Sequence, residues 1–378
     1  MHNVLKLVVD ANCEIAELLR PWISAEFYDF AAQSFDTEHV YVLGRMQFKK
    51  HCALIRHLVD SQGIRIVFSN PFEGSQTLQN QIVALNMQDL FISGKLLLIS
   101  GGDQESHWAH MSYDLFATKI HDFEENLQAI QQSEQIYNRV DKPFKFLFLN
   151  GRIRPHRKFL LERFRLNKLL DDSLWTCLDR TTGLSRSIQL IHDGQDLLDR
   201  PHEIRYLPDQ YEFEFYKGRG SVTGQEKFVK YTLFNNEWGE VYLNPRAYID
   251  TYFSLVTETV FDYPYSFRTE KIWKPIAMAH PFVAVSNRGF YRDLHNLGFK
   301  TFGHLIDESF DLIDHNQDRI QRVAQVVENL CEQDLASFLE ECYTTCKYNQ
   351  QHLAEIKDPI RQQFPDRFFK FLQKHFNE

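Results

Sequence analysis

The sequence predicts an α/β fold with two parallel sheets, one in each of two domains. The chain has 378 residues, 43% of them hydrophobic and 25% charged, which is enough material for two packed cores. In the first half, short β-branched or apolar runs alternate with amphipathic segments, a pattern typical of parallel strands joined by crossover helices. A strand, a polar turn and a helix follow one another again from residue 144, so a second sheet is expected to begin there.

Four apolar runs in the first half are predicted strands, at residues 5–10, 40–44, 64–70 and 95–102. Between the second and third runs, Cys52, Ile55 and Leu58 recur at helical spacing, and Gly63 suits the end of a helix. This strand–helix–strand order predicts a Rossmann-like first domain.

The polar segment 121–142 is a predicted helix that places the domain boundary near residue 140. After it come residues 144–150, the most strand-like run of the chain, then a basic loop and a further helix. We therefore predict an N-terminal, acceptor-side domain at 1–140 and a second Rossmann-like domain at 141–360. A C-terminal helix at 361–378 is expected to pack back on the first domain.

The last third of the chain is again regular, after a loop-rich region at 180–250 whose pattern predicts no definite elements. The predicted order is a strand within 248–260, a loop at 261–267, a helix from Thr269, a buried strand at 281–286, a helix leading into a short strand across 289–302, and a mostly helical tail from 314.

Composition excludes some classes of function. The 42 Lys and Arg against 51 Asp and Glu give a net charge of -9, which disfavours a nucleic-acid partner. The six cysteines form no CxxC pair, so a reducing compartment fits best. Without a secretory leader or an apolar run of about 20 residues, the protein is expected to be cytoplasmic and to lack a transmembrane segment. The high phenylalanine content leaves peripheral membrane contact open.

The strongest chemical signal is a strand, loop and helix in which Glu258 follows the strand and Thr269, Glu270 and Lys271 begin the helix. Ligands of open α/β sheets bind at the carboxyl ends of the strands, where helix N-termini offer backbone N–H groups to phosphate. Thr269 is a good N-cap, and Lys271 adds a cation for the same anion. The alternative is a well-capped helix with a solvated lysine.

Residues 253–273, FSLVTETVFDYPYSFRTEKIW, resemble the donor-binding stretch of the alpha-1,3-fucosyltransferases. The matching positions are Phe253, Ser254, Leu255, Glu258, Thr269, Glu270, Lys271 and Trp273. The resemblance implies a GT-B fold, with two Rossmann-like domains facing across a cleft, and a reaction that inverts the anomeric carbon. It also implies that Glu258 and Lys271 hold the ribose and the diphosphate of the nucleotide sugar, GDP-fucose being favoured.

A second stretch, FLFLNGRIRPHRKFLLERF, resembles the first strand and phosphate loop of the donor domain in that family. Asn150 and Arg157 take the matching places, and Arg152 and Arg154 are further cations in the same loop. Guanidinium groups suit a diphosphate because they bind it bidentately. An ordinary basic surface loop is the alternative.

An inverting transfer needs a general base for the acceptor hydroxyl. Glu73, after the strand 64–70, is the first choice, and Asp103 and Glu105 are the alternatives. No DxD-like sequence follows a predicted strand, so neither a metal nor another cofactor is expected.

These observations predict a metal-independent, inverting glycosyltransferase that moves a sugar from a nucleotide donor to a glycan, glycolipid, protein or other hydroxyl acceptor. Two alternatives stay open: the same fold with a UDP- or CMP-sugar donor, and a non-catalytic protein that binds a nucleotide or carbohydrate.

Overall fold

Two β-sheets organise the protein, each within its own unit of the chain. The computed structural model describes residues 6–103, 108–139, 141–150, 154–177, 189–190, 204–206 and 243–376. The first unit comprises Met1–Thr118, Tyr265–Arg268 and Ile356–Glu378. The second unit comprises Lys119–Pro264 and Thr269–Glu355.

The sheet of the first unit is parallel throughout and has the order β2-β1-β3-β4-β5-β6. Its strands are Lys6–Asp10 (β1), Ile23–Phe27 (β2), His39–Leu43 (β3), Arg65–Gly74 (β4), Leu96–Gly101 (β5) and His110–Ser112 (β6). The four strands predicted from sequence are confirmed, because β-branched and leucine-rich runs suit strands buried on both faces. The sequence did not predict β2 and β6, which are short or largely exposed and so lack that signal.

Short helices connect these strands. They are Ala16–Leu19 (α1), Arg45–Lys50 (α2), Cys52–Gln62 (α3), Ser75–Ala84 (α4), Gln88–Ile92 (α5) and Leu115–Lys119 (α6). The predicted helix α3 is confirmed, and it ends where Gly63 takes a positive φ of 65°.

The sheet of the second unit has the order β12-β11-β7-β8-β10-β9. Its strands are Phe144–Asn150 (β7), Leu174–Cys177 (β8), Gln189–Leu190 (β9), Ile204–Tyr206 (β10), Thr251–Thr257 (β11) and Phe282–Val285 (β12). Four neighbouring strands, β12, β11, β7 and β8, are parallel, and β10 runs antiparallel to β8. The predicted α/β class with a second parallel sheet is confirmed.

Eight α-helices follow in the described part of the chain from residue 119 onward. The set is Glu124–Gln131 (α7), Gln135–Asn138 (α8), Pro155–Leu166 (α9), Pro245–Ile249 (α10), Glu270–Ala277 (α11), Phe290–Asn296 (α12), Asn316–Cys331 (α13) and Leu335–Phe376 (α14). Helix α11 begins at the predicted Thr269 cap, whose side chain accepts from the Lys271 amide.

The short strand predicted within 289–302 is wrong. Residues 299–302 follow α12 without forming a strand. Side chains take the backbone amides that a strand would pair: Lys300 donates its N–H to Asn349 Oδ1 (2.8 Å) and Phe302 to Glu308 Oε1 (2.7 Å).

The division between the units follows Thr118, whereas the sequence placed the boundary near residue 140. Residues 119–139 belong with the second unit because they bond to it. Leu243 donates its N–H to Asn126 Oδ1 (3.0 Å), and Tyr137 donates its hydroxyl to the Ala279 carbonyl (2.6 Å).

The last turns of α14, from Ile356, belong to the first unit. Arg361 donates to the Thr118 carbonyl (2.6 Å), and the Phe364 ring lies edge-on to Tyr113 with centroids 4.8 Å apart.

None of the helices in the described ranges is long and apolar enough to cross a membrane.

Candidate functional site

The order of the second sheet creates a position for a ligand. From β7 the chain runs to β8 on one side, and it later returns as β11 on the other side of β7. Ligands of open α/β sheets bind at such a switch point, outside the carboxyl ends of the two strands. The carboxyl ends of β7 and β11 carry Asn150 and Thr257, followed by Glu258. The residues of both sequence motifs therefore meet at the switch point.

Glu258 is held entirely within the protein. Its residue is 0% exposed, and its carboxylate accepts the Thr269 N–H at Oε1 (3.0 Å) and the Thr269 hydroxyl at Oε2 (2.6 Å). Oε2 also accepts the N–H of Thr259 (3.2 Å). Burial raises the pKa of the Glu258 carboxyl, and the charge of Lys271 and the hydrogen bonds from Thr269 oppose this shift. Glu258 thus ties the end of β11 to the start of α11.

Asn150, Arg157 and His156 fix the neighbouring strand end. Thr257 donates its hydroxyl to Asn150 Oδ1 (2.7 Å), which joins β11 to β7. Arg157 donates through Nη2 to the carbonyls of Thr257 (2.9 Å) and Glu258 (3.1 Å). His156 Nε2 lies 3.1 Å from the same Glu258 carbonyl, and burial lowers the pKa of His156 to about 3. The ring is therefore neutral at physiological pH, and Nε2 carries the proton because a carbonyl only accepts.

Lys271 and Glu270 are the charged side chains of the α11 start that reach solvent. Lys271 Nζ bonds Glu270 Oε1 (2.6 Å) and Thr269 Oγ1 (3.2 Å), and its side chain is 22% exposed. Burial opposes ionisation of Glu270, but the charges of Lys271 and Lys274 outweigh burial and lower its pKa. A ligand phosphate would therefore have to compete with the Glu270 carboxylate for Lys271.

Arg154 lies at the start of the other helix. It is the N-cap residue of α9 and is half-buried, and its Nε has no hydrogen-bond partner within the described residues. Arg152 lies outside the described residues. Of the predicted donor residues, the structure thus brings Asn150, Arg157, Glu258 and Thr269 into one bonded network, with Lys271 and Glu270 at its edge.

Asp103 belongs to an ion cluster of the first unit that is centred on the buried Arg268. Arg268, whose side chain is 1% exposed, donates to Asp103 Oδ2 (2.6 Å) and Oδ1 (2.9 Å). Its Nη2 also donates to Asp114 Oδ2 (3.1 Å) and Oδ1 (3.2 Å). Burial alone would lower the pKa of Arg268, but the two carboxylates outweigh it and raise the pKa. Both oxygens of Asp103 are engaged, which suits a structural role better than that of a base.

The segment before Thr269 fits into the first unit through three glycines. A Cβ at Gly101 would lie 2.5 Å from the Phe267 ring, and one at Gly74 would lie 3.0 Å from it. Gly102 has a φ of 76°, and a Cβ there would meet the Ser266 carbonyl at 2.6 Å. Larger residues at these positions would therefore displace the segment.

Of the two other candidate bases, Glu73 and Glu105, the structure describes only Glu73. Glu73 is half-buried at the end of β4, next to Gly74. Glu105 lies outside the described residues.

Sequence reasoning did not single out three buried residues at or near the strand ends. Asp10 is one: it ends β1 at the switch point of the first sheet, where Oδ2 accepts the Gly44 N–H (3.2 Å). Burial raises the pKa of Asp10, against the hydrogen bonds from Asn12 and Gly44. An acidic residue closing an apolar run was visible in the sequence, but the strand order was not. In the sequence, Arg268 is notable only because it precedes Thr269, and His156 only because it precedes Arg157.

No family model, curated protein or solved structure matches the chain.

Proposed function

We propose that the protein is an inverting glycosyltransferase whose second unit binds the nucleotide-sugar donor at the switch point between β7 and β11. The observation that carries the proposal is the meeting of Asn150 and Thr257 at this switch point, with the first turns of α9 and α11 beside it. A helix N-terminus favours a diphosphate through its partial positive charge and its backbone N–H groups.

Lys271 is the proposed contact to the diphosphate. Its side chain, 22% exposed, is held at the start of α11 by the Glu270 carboxylate and the Thr269 hydroxyl, and Arg154 at the start of α9 is a second cation. Glu258 supports the proposal indirectly. Because its oxygens bind Thr269 and Thr259, we assign Glu258 to positioning the start of α11. We propose that Glu270, which is partly exposed, contacts the donor ribose instead.

The proposed reaction is a single displacement. The acceptor hydroxyl oxygen forms a bond to the anomeric carbon as its proton passes to a carboxylate, for which Glu73 is our assignment. The bond from the anomeric carbon to the phosphate oxygen breaks, and the nucleoside diphosphate leaves. Lys271 and the helix N-termini stabilise the charge that develops on the leaving group.

A thermal-shift panel of GDP, UDP, CMP, ADP and dTDP tests the donor site, since a ligand that binds the folded state raises its stability. A shift with GDP favours a fucose-type donor, and a shift with UDP or CMP selects the alternative donors. No shift with any nucleotide would overturn the proposal.

The variant Lys271→Ala should weaken binding of the selected nucleotide about tenfold or more, because a charge-assisted hydrogen bond contributes about 1.5 to 3 kcal/mol. Lys347→Ala is a matched control in the same unit: its side chain is 28% exposed and pairs with one carboxylate, Glu134, at 2.6 Å. Equal losses in both variants would remove the phosphate role.

Transfer is tested by release of nucleoside diphosphate with a panel of glycan, glycolipid and protein acceptors. Glu73→Gln should retain nucleotide binding and lose transfer, since it removes the proton acceptor but not the donor contacts. Normal transfer by this variant would exclude Glu73 as the base. Nucleotide binding by the wild type without transfer to any acceptor would favour a non-catalytic binding protein.

A further inference from the structure

The loop that follows β11, residues 258–262, leaves the switch point and is held at both ends by side chains of other elements. At its start, two side chains of α9 lie 3.1 Å from the Glu258 carbonyl. Near its other end, Arg319 of α13 donates through Nη2 to the Phe261 carbonyl (2.6 Å). The first of these links was described with the site, and the second comes from a residue to which no role has been assigned.

Arg319 lies near the start of α13 and is 3% exposed. Besides the Phe261 carbonyl, its Nη2 binds Asn316 Oδ1 (2.5 Å). Its Nη1 binds the carbonyls of Ile313 (2.9 Å) and Asp314 (3.3 Å). One buried guanidinium thus joins the loop after β11 to the chain that enters α13.

All of these acceptors are neutral oxygens. Burial lowers the pKa of Arg319 and the charge of Arg288 acts in the same direction, whereas Asp311, Asp262 and Asp314 oppose the shift. Within the described part of the chain, none of these three carboxylates hydrogen-bonds the guanidinium. Burial of a charge costs free energy that an apolar side chain of similar volume would not cost. What the guanidinium supplies in return is a fork of N–H donors that fixes backbone carbonyls.

The Phe261 ring strengthens the same link. It is stacked on the His156 ring, with centroids 5.1 Å apart and planes at 18°, and Arg319 Cζ lies 4.4 Å from its centroid. A guanidinium over an aromatic face is attracted by the charge distribution of the ring. His156 in turn lies 3.1 Å from the Glu258 carbonyl. The contacts of Arg319 therefore extend, through Phe261 and His156, to the residue that positions the start of α11.

We propose that Arg319 is a positioning residue for the nucleotide donor. It holds the loop 258–262, and with it Glu258 and the start of α11, in the arrangement that binds the diphosphate. The inference rests on the proposed donor site. Arg319 acts through the loop, because its guanidinium is buried and bonds only to the protein. Without it the loop takes several arrangements, and the apparent affinity for the nucleotide falls with the fraction that is competent to bind.

The variant Arg319→Met removes the donors and keeps much of the side-chain volume. Calorimetric titration of the full chain with GDP, UDP, CMP, ADP and dTDP, well below the melting temperature, should show about tenfold weaker binding of whichever nucleotide the wild type binds. Arg319→Lys keeps the charge and should lie between the wild type and Arg319→Met. Amide exchange of peptides covering residues 253–264, without nucleotide, should be faster in Arg319→Met than in the wild type.

Arg163→Met is the matched control. Arg163 also joins α9 to α13, because its Nε donates to Glu328 Oε1 (2.6 Å), and it lies away from the loop after β11. This variant should lower the melting temperature and leave nucleotide affinity unchanged. A purely structural role of Arg319 would lower the melting temperature in the same way and leave the affinity of Arg319→Met at the wild-type value.

The outcomes separate this inference from the proposed function. Wild-type affinity in Arg319→Met, or an equal loss in Arg163→Met, would overturn the role of Arg319 and leave the donor site standing. If the wild type binds none of the five nucleotides, the donor site falls and the inference falls with it. Circular dichroism checks the fold of Arg319→Met. If that variant is unfolded, Arg319→Lys decides: about threefold weaker binding supports the inference, and wild-type affinity refutes it.

Discussion

Replacing Arg268 by methionine tests whether the ion cluster of the first unit is structural. The substitution keeps much of the side-chain volume and removes the cation shared by Asp103 and Asp114. Removing one partner of a fully buried ion pair costs about 3 to 5 kcal/mol, and because Asp103 and Asp114 keep partial solvent contact, we expect a smaller loss of about 2 to 3 kcal/mol. Asp103 is 45% exposed, so Asp103→Asn should cost far less, about 1 kcal/mol.

Amide hydrogen exchange of peptides covering residues 96–118 is the suitable assay, because these residues carry both carboxylates of the cluster. A loss of about 2 to 3 kcal/mol corresponds to exchange that is faster by roughly one and a half to two orders of magnitude, up to the limit of global unfolding. Arg163→Met is the control: it breaks an Arg–Glu pair of the second unit, with Glu328 at 2.5 Å, and should leave these peptides unchanged.

Two results would refute this reasoning. Arg268→Met with unaltered exchange would mean that the cluster contributes little to stability. Asp103→Asn with unaltered exchange but no sugar transfer, in an active wild type, would mean that Asp103 is the general base despite its pairing with Arg268. We expect the opposite for Asp103→Asn: a small change in exchange and retained transfer.

Two further predictions concern the second unit. Thr269→Val should destabilise the protein by about 2 to 4 kcal/mol, because it removes the helix cap and the hydroxyl bond to Glu258. Thr269→Ser keeps both interactions and serves as the control. Equal melting temperatures for the two variants would contradict the prediction. Burial raises the pKa of Glu308 from 4.5 to about 7, against hydrogen bonds from Thr301 and Phe302. The contribution of Glu308 to stability is therefore full below pH 4.5 and is lost as the pH rises through 7. The wild type should lose about 3 kcal/mol relative to Glu308→Gln over this range, and a pH-independent difference in urea unfolding would refute the shift.

Local signals predicted most of the elements that position the site. The apolar runs gave β7 and β11, and the Thr269 side chain and Gly63 marked a helix start and a helix end. These features depend on residues a few positions apart, so a pattern in the sequence suffices to recognise them. The same reasoning failed for the strand predicted near residue 300, where side chains of Asn349 and Glu308 take the backbone amides.

The sequence by itself thus determined the α/β class, the strand ends and the candidate cations at the start of α11. Tertiary structure alone decided what these groups bind. Arg268 and Asp103 are 165 residues apart in the chain, and Arg139 and Asp250 are 111 apart, yet each pair is bonded. Burial of Glu258 against Thr269 likewise makes its carboxylate an internal hydrogen-bond acceptor. The free energy of a buried charge depends on the distant groups that the fold brings next to it. Strand order and desolvation decide which groups these are, and no local sequence pattern encodes either of them.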